Sequence, residues 1–205
     1  MNNTTIPILD IRRLRIGTDG HGIRTLIGTT GCPLRCKYCL NPHSWNGSCE
    51  PQWYTPTQLY ETVSVDNLYF RATNGGITLS GGEPLLHIDA ISESIALCPT
   101  EWNMWVETSL NVPLSNVLTA STLFHHFLVD IKTTDPEIYH AYTGGDFERA
   151  WNNLIALQQL VGEERITVRL PLIPNFVDES TRDKSFACLT NMGFTKIDLL
   201  RYSTP

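Results

Sequence analysis

Three cysteines on one short stretch are the residues best suited to do chemistry. Residues 31–39 read GCPLRCKYC and carry Cys32, Cys36 and Cys39 at CxxxCxxC spacing, in a chain with 6 cysteines. Thiolates are soft ligands that select zinc, copper(I) or iron–sulfur clusters. In a reducing compartment, clustered cysteines indicate metal binding or catalysis rather than disulfide bonds.

The number of thiols bears on which metal they could hold. Each iron of a cubane [4Fe–4S] cluster needs one terminal ligand, so three cysteines leave one iron open. Catalytic metal sites keep such an open position, whereas structural sites close it. A structural zinc site would need a fourth ligand, and His43 and Cys49 are close enough in sequence to compete. The spacing favours the cluster, and a non-catalytic zinc or iron–sulfur binding module is the alternative from another class.

The elements that must position these cysteines alternate between strand and helix. Strands are predicted at residues 23–28, 77–80, 104–107, 124–132, 166–173 and 196–202. Helices are predicted at residues 55–65, 88–97, 112–118, 146–161 and 180–191. Such alternation implies parallel strands joined by helical crossovers. A full eight-unit barrel takes about 250 residues, so we predict an α/β fold, an open, partial (β/α)6 TIM-type barrel, in a single domain over residues 1–205.

Polar residues follow the predicted strands where parallel α/β folds place their chemistry, at the carboxyl ends. The cysteine stretch follows the first predicted strand, and Ser80-Gly81-Gly82-Glu83 follows the second. Glu107 ends the third, Asp130 and Lys132 lie at the end of the fourth, and Arg169 lies on the fifth. The pattern predicts that these residues share one rim.

Composition excludes several classes of protein. The chain has 205 residues, 41% of them apolar, and its net charge of −6 disfavours a general nucleic-acid binder. No stretch approaches the ~18–20 apolar residues of a membrane span. The opening MNNTTIPILDIRR lacks the charged start and apolar run of a signal peptide. We therefore expect a cytoplasmic, monomeric protein without nucleic-acid or membrane partners.

Taken together, these motifs resemble a known family. CxxxCxxC with Tyr38 before its last cysteine is similar to the signature of the radical S-adenosylmethionine (SAM) superfamily, and Gly81-Gly82-Glu83 is similar to its GGE motif. Further stretches resemble, in order, the glycyl-radical-enzyme activating enzymes of the pyruvate formate-lyase activase group: DGHGIRT (19–25), NP (41–42), LSGGEPL (79–85), ETS (107–109), DIK (130–132) and RLPLIP (169–174). The resemblance covers residues 15–202, in a short form without a ferredoxin-like insert.

The resemblance implies the cofactors and the residues that hold them. Cys32, Cys36 and Cys39 would bind a [4Fe–4S] cluster whose open iron binds SAM, and reductive cleavage of SAM would give a 5′-deoxyadenosyl radical. Residues implied in cofactor binding are Tyr38, Gly81, Gly82, Glu83, Glu107, Asp130, Lys132 and Arg169. Of these, Glu107 and Asp130 would also hold a monovalent cation, Na⁺ or K⁺, and Asp19 would contact the substrate.

The implied activity is hydrogen abstraction from a backbone glycine of a partner, a glycyl radical enzyme polypeptide. A flavodoxin- or ferredoxin-type reductant would dock near Arg35 and Lys37. The alternative enzyme is a compact radical SAM protein acting on another peptide or a small molecule, as 7-carboxy-7-deazaguanine synthase does. The chain departs from the family pattern at His21, where proline is usual, and at Ser203, where histidine is frequent.

Overall fold

The computed structural model describes residues 4–202, so Ser203 lies outside the described part. The strands are β1 (Ile6–Ile16), β2 (Ile23–Thr29), β3 (Gln52–Tyr54), β4 (Gly76–Gly81), β5 (Asn103–Thr108), β6 (His126–Asp130), β7 (Ile166–Leu172) and β8 (Ile197–Arg201). The helices are α1 (Pro56–Ser64), α2 (Asn67–Thr73), α3 (Ile88–Ile95), α4 (Leu114–Leu123), α5 (Pro136–Thr143), α6 (Phe147–Val161) and α7 (Glu179–Asn191). Short 3-10 helices are Pro42–Ser44, Pro84–His87 and Glu163–Arg165.

Side-chain caps define where several helices begin. Thr55 and Gln58 form a reciprocal capping box at the start of α1, with Pro56 at the first helical position. Asp146 accepts a hydrogen bond from the amide of the third residue of α6, and Asp178 does the same for α7. These caps satisfy amide groups that a helix leaves without partners inside itself.

The described chain forms two compact units. The first comprises residues 4–32, 41–107 and 122–125, with strand order β3-β1-β2-β4-β5. β1 pairs antiparallel with both β2 and β3, while β2, β4 and β5 run parallel. Its buried apolar side chains come from the strands and from α1 and α3, including Ile27, Leu79, Leu59 and Ile91.

The second unit comprises residues 33–40, 108–121 and 126–202, with strand order β6-β7-β8, all parallel. Its strands bury Val129 and Val168, and its longest helix, α6, buries Leu154 and Leu157.

The predicted α/β fold class is confirmed: within each of the two units described over residues 4–202, helices alternate with strands that run mostly parallel. All six predicted strands and all five predicted helices are present, and their ends shift by up to five residues, the largest shift being at the end of α4. The sequence analysis missed β1, β3, α2 and α5. Among the described residues no helix is both long and apolar enough to cross a membrane.

Candidate active site

The segment that leads into Cys32 is hydrogen-bonded to the end of β4. The amide of Gly82 donates to the carbonyl of Thr29 at 2.8 Å, and the amide of Glu83 donates to that of Gly31 at 2.7 Å. The Nε2 of His87 lies 2.7 Å from the carbonyl oxygen of Thr30. Because a carbonyl oxygen can only accept a hydrogen bond, Nε2 is the donor. Backbone hydrogen bonds therefore hold the Gly-Gly-Glu stretch against residues 29–31, which precede Cys32.

This close approach explains both glycines. Gly81 has φ +105°, in the region that favours glycine, and a Cβ there would lie 2.4 Å from the amide nitrogen of Thr29. A Cβ on Gly82 would lie 2.1 Å from the carbonyl oxygen of Gly31. The neighbour that requires glycine at both positions is therefore the chain's own backbone.

Two carboxylates lie at the ends of β4 and β5. Glu83 is buried, and its Oε1 accepts a hydrogen bond from the amide of Leu85 at 3.2 Å, which caps the 3-10 helix that follows. Ser80 Oγ donates to Glu107 Oε2 at 2.5 Å. The structure thus brings Ser80 and Glu107 together across adjacent parallel strands.

Asp19 is buried and is bonded to neighbouring residues. Its carboxylate forms an ion pair with Arg15 and accepts a hydrogen bond from Thr18 Oγ1 at 3.1 Å. Its backbone carbonyl accepts from Thr78 Oγ1 at 2.7 Å. The loop between β1 and β2 is therefore tied to the middle of β4.

Arg24, which lies in the DGHGIRT stretch, is a buried cation whose role in the fold was not predicted. Its guanidinium donates to Thr78 Oγ1 at 2.5 Å and to carbonyl oxygens of residues 21, 77 and 103, at 3.2, 2.5 and 2.7 Å. It also lies over the ring of Trp105, 4.9 Å from the centroid. Burial lowers the pKa of Arg24 to about 10, against the opposing effect of Asp19, so it stays charged at neutral pH.

In the second unit, the stretch around Cys36 pairs with the end of α5. The amide of Arg35 donates to the carbonyl of Thr143 at 2.7 Å, and the amide of Lys37 donates to that of Tyr142 at 3.1 Å. The amide of Cys39 donates to the carbonyl of Cys36 at 3.3 Å, which closes a turn between the two cysteines.

Cys36 packs beside an aromatic cluster, which we define as Tyr38, Tyr142 and Phe176. The ring centroids of Tyr38 and Tyr142 are 6.2 Å apart, and those of Tyr142 and Phe176 are 5.2 Å apart. Burial raises the pKa of Cys36 to about 11, although the nearby Lys132 opposes that change. The O–H of Tyr142 is buried and donates to no acceptor among residues 4–202.

Lys132 is buried at the end of β6, beside Asp130. Its Nζ lies 3.3 Å from Asp130 Oδ1 and donates to the Tyr202 hydroxyl at 2.8 Å. Burial works to lower the pKa of Lys132, but Asp130 and Tyr202 outweigh it and raise that pKa above its ordinary value. The pair is therefore an internal one and not a solvated surface ion pair. Lys132 was predicted because it lies at the carboxyl end of a strand. Tyr202 directly follows β8 and could have been predicted on the same ground.

Arg169 occupies the middle strand of this unit. It pairs in register with Asp130 on β6 and with Asp198 on β8, so the three residues share one face of the sheet. An acid–base–acid row thus lies next to Lys132.

No group of three or more His, Cys, Asp or Glu side chains among residues 4–202 is arranged to hold a single metal ion. A cubane cluster does not require such convergence, because each thiolate binds a different iron. No disulfide bond is formed among residues 4–202, and Cys32, Cys36 and Cys39 are partly buried.

Comparison with known proteins identifies the family. The profile of the radical SAM superfamily matches residues 26–184, most of the chain. The chain belongs to the radical SAM superfamily.

Named relatives in this superfamily are activating enzymes. The chain is 28% identical to the (2S)-3-sulfopropanediol dehydratase activating enzyme of Klebsiella oxytoca, over 88% of this chain and 75% of that protein. It is 28% identical to the pyruvate formate-lyase-activating enzyme of Clostridium pasteurianum, over 91% of this chain and 78% of that protein.

A solved structure shares the fold. The structure of anSMEcpe with bound AdoMet superposes with a TM-score of 0.65 at 16% identity, over 86% of this chain and 48% of that one. The chain therefore spans about half the length of that neighbour, and the likeness concerns the fold alone.

The residues present fit the radical SAM cofactors. None of the three motif cysteines is in a disulfide bond, and the nearby cation of Lys132 opposes the rise that burial causes in the pKa of Cys36, which favours a thiolate there. Soft thiolate donors suit an iron–sulfur cluster, and the family implies that cluster together with SAM.

Proposed function

We propose that this chain is an activating enzyme for a glycyl radical enzyme. The observation that carries the proposal is its similarity, over nearly its whole length, to two proteins named as activating enzymes. With cluster and SAM bound, the cofactors would supply a 5′-deoxyadenosyl radical that takes a hydrogen atom from a backbone glycine of the partner polypeptide. The chain's own part is to bind, orient and shield these reactants.

In this proposal the three motif cysteines have one role and Cys49, Cys98 and Cys188 have none. Cys32, Cys36 and Cys39 each hold one iron and leave the fourth to SAM. Gly81, Gly82 and Glu83 hold the SAM ammonium, for which carbonyl and carboxylate oxygens are suitable acceptors. Tyr38 lies within the cysteine stretch and belongs to the same cofactor site.

The remaining strand-end residues would hold the other end of SAM and the substrate. Glu107 and Asp130 supply hard oxygen ligands for a monovalent cation, Na⁺ or K⁺. Lys132 and Arg169 supply positive charge for the SAM carboxylate. Asp19 contacts the substrate polypeptide, and its pairing with Arg15 would fix its position.

A flavodoxin- or ferredoxin-type reductant would deliver the electron. Arg35 and Lys37 flank Cys36 and are both exposed, so they offer a basic surface next to a cluster ligand. A single domain over residues 1–205, a monomeric state and a cytoplasmic location stay predictions.

Metal analysis and radical detection test the proposed function. The anaerobically reconstituted protein should contain about four irons with matching acid-labile sulfide, and Cys36→Ala should lose iron whereas Cys49→Ala should not. One zinc per chain would instead support a non-catalytic module. With SAM, reductant and a partner, electron paramagnetic resonance should show a glycyl radical.

The same assay separates substrate classes. Formation of 5′-deoxyadenosine should depend on a glycyl radical enzyme partner encoded near this chain. If a small molecule or unrelated peptide gave equal 5′-deoxyadenosine and no candidate partner gained a radical, the activase assignment would be wrong.

A further inference from the structure

The Tyr142 hydroxyl is a buried donor without an acceptor among the described residues. Its side chain is fully buried, and its O–H donates to no acceptor within residues 4–202, although the backbone amide of Tyr38 is close enough to its oxygen to oppose the rise that burial causes in the pKa of Tyr142. Leaving a buried donor unpaired costs about 1–3 kcal/mol. Such a group is unusual in a folded protein and calls for an explanation.

The surroundings of Tyr142 point to Cys36. Cys36 packs against the buried group that contains Tyr142, and the backbone carbonyl of Tyr142 accepts a hydrogen bond from the amide of Lys37, the residue after Cys36. The other two members of the aromatic cluster, Tyr38 and Phe176, pack on the Tyr142 ring. A backbone hydrogen bond and two ring contacts thus hold Tyr142 beside the cysteine stretch.

A cysteine thiol is a weak acceptor, whereas an iron-bound thiolate carries more negative charge and accepts hydrogen bonds readily. We infer that Tyr142 is a positioning residue whose hydroxyl donates a hydrogen bond to the Cys36 sulfur when that sulfur is an iron ligand. This inference rests on the cluster assignment of the proposed function and adds a residue outside the radical SAM motifs to the site.

The consequence is electronic. Hydrogen bonds to cluster sulfurs stabilise the reduced, more negative cluster and so raise its reduction potential. Removing the hydroxyl should make the cluster harder to reduce while leaving its iron content unchanged.

The experiment compares the cluster-loaded full chain with Tyr142→Phe by redox titration monitored by electron paramagnetic resonance. We expect the ratio of reduced to oxidised cluster at a fixed potential to fall by up to tenfold, which is about 59 mV for one electron. Tyr139→Phe is the matched control, because Tyr139 is a buried tyrosine of the same helix whose hydroxyl accepts from Asn111 Nδ2 at 3.2 Å. That control should titrate as the parent does.

The outcomes separate this inference from the proposed function. An unchanged potential in Tyr142→Phe, with full iron content in all proteins, would overturn the role of Tyr142 and leave the cluster assignment intact. Failure of the parent chain to bind iron would overturn both. If Tyr142→Phe lost its cluster, site-specific replacement of Tyr142 by 3-fluorotyrosine, a stronger donor, should raise the potential, and no change would refute the inference.

Discussion

At the scale of single residues, Arg24 is the clearest case of a side chain whose role depends on tertiary structure. Its sequence context is a short run of β-branched residues, which indicates a strand but not a buried cation. In the fold, acceptors from two other strands and the β1–β2 loop converge on its guanidinium. Arginine's planar fork suits several fixed acceptors better than the single ammonium of lysine does.

We predict that Arg24→Met lowers the free energy of unfolding by about 3 kcal/mol, because several buried acceptors lose their donor. Arg24→Lys should cost less, since one ammonium can still serve part of the set. Urea unfolding followed by circular dichroism measures both. Arg71→Met, at an exposed position of α2, is the control and should stay within about 0.5 kcal/mol of the parent. Equal effects at both positions would contradict the assigned role.

At the scale of elements, Asp66 joins three pieces of the first unit. This buried carboxylate precedes α2, accepts from Arg13 of β1 at 2.9 and 2.5 Å, and accepts from Thr25 of β2 at 2.7 Å. Burial alone would raise the pKa of Asp66, but the hydrogen bonds from Arg13 and Thr25 lower it below its ordinary value.

A carboxyl whose pKa is lower in the folded state stabilises the fold above its unfolded pKa, and that stabilisation is lost as the pH falls through the folded value. We therefore predict that Asp66→Asn costs about 1–2 kcal/mol at pH 7, a moderate amount because Arg13 is half exposed. The difference from the parent should shrink below about pH 4. Denaturant unfolding at both pH values measures it, and Arg12→Gln, which breaks an exposed pair, is the control. A pH-independent difference would count against the charged role.

The close contact between Gly82 and Gly31 predicts that a side chain at position 82 would disturb the junction between the end of β4 and the cysteine stretch. Gly82→Ala should lower the free energy of unfolding by about 1–3 kcal/mol and weaken SAM binding, because the added methyl group forces two backbone segments apart. Gly47→Ala is the control: its φ of +76° imposes strain of about 1 kcal/mol, but nothing lies within 4 Å. Thermal unfolding and equilibrium SAM binding should distinguish the two, and unimpaired SAM binding in Gly82→Ala would contradict the prediction.

There are physical reasons why β1 and α5 could not be predicted from the sequence. β1 alternates poorly, and the register shifts between Arg12 and Arg15, where Leu14 adopts φ 56°, so no regular period of two is visible. α5 has only eight residues, too few for a helical period to stand out. Tyr142 lies on α5, and so its position beside Cys36 could not be predicted. The strand-end positions of Glu107 in the first unit and Asp130 in the second could be predicted, because strands that alternate with helices have a recognisable carboxyl end, and the roles of these residues stay predictions.

At the scale of the whole molecule, the net negative charge of the chain disfavours binding of the proposed acidic reductant. The chain carries −6, and an acidic flavodoxin would be repelled unless a local basic surface guides it. Arg35 and Lys37 are exposed next to a cluster ligand, so their charge should dominate the encounter.

We predict that the double variant Arg35→Glu and Lys37→Glu reduces the rate of cluster reduction by flavodoxin about tenfold or more at low salt. The difference should narrow as ionic strength rises, because salt screens exposed charges. Stopped-flow absorbance measures the rate, and reduction by dithionite, a small reductant, is the control. Equal rates with flavodoxin at low salt would show that it docks elsewhere.

The pairing of the cysteine stretch with the end of α5 has a consequence for assembly. Two amides between Cys32 and Cys39, those of Arg35 and Lys37, are already bonded to carbonyls of residues 143 and 142 in the chain alone. Cluster insertion would therefore act on a segment whose backbone is already set, and most of the entropy of ordering that segment would be lost when the protein folds rather than when iron arrives. Iron and sulfide would then bind beside residues 35–39 without having to order their backbone.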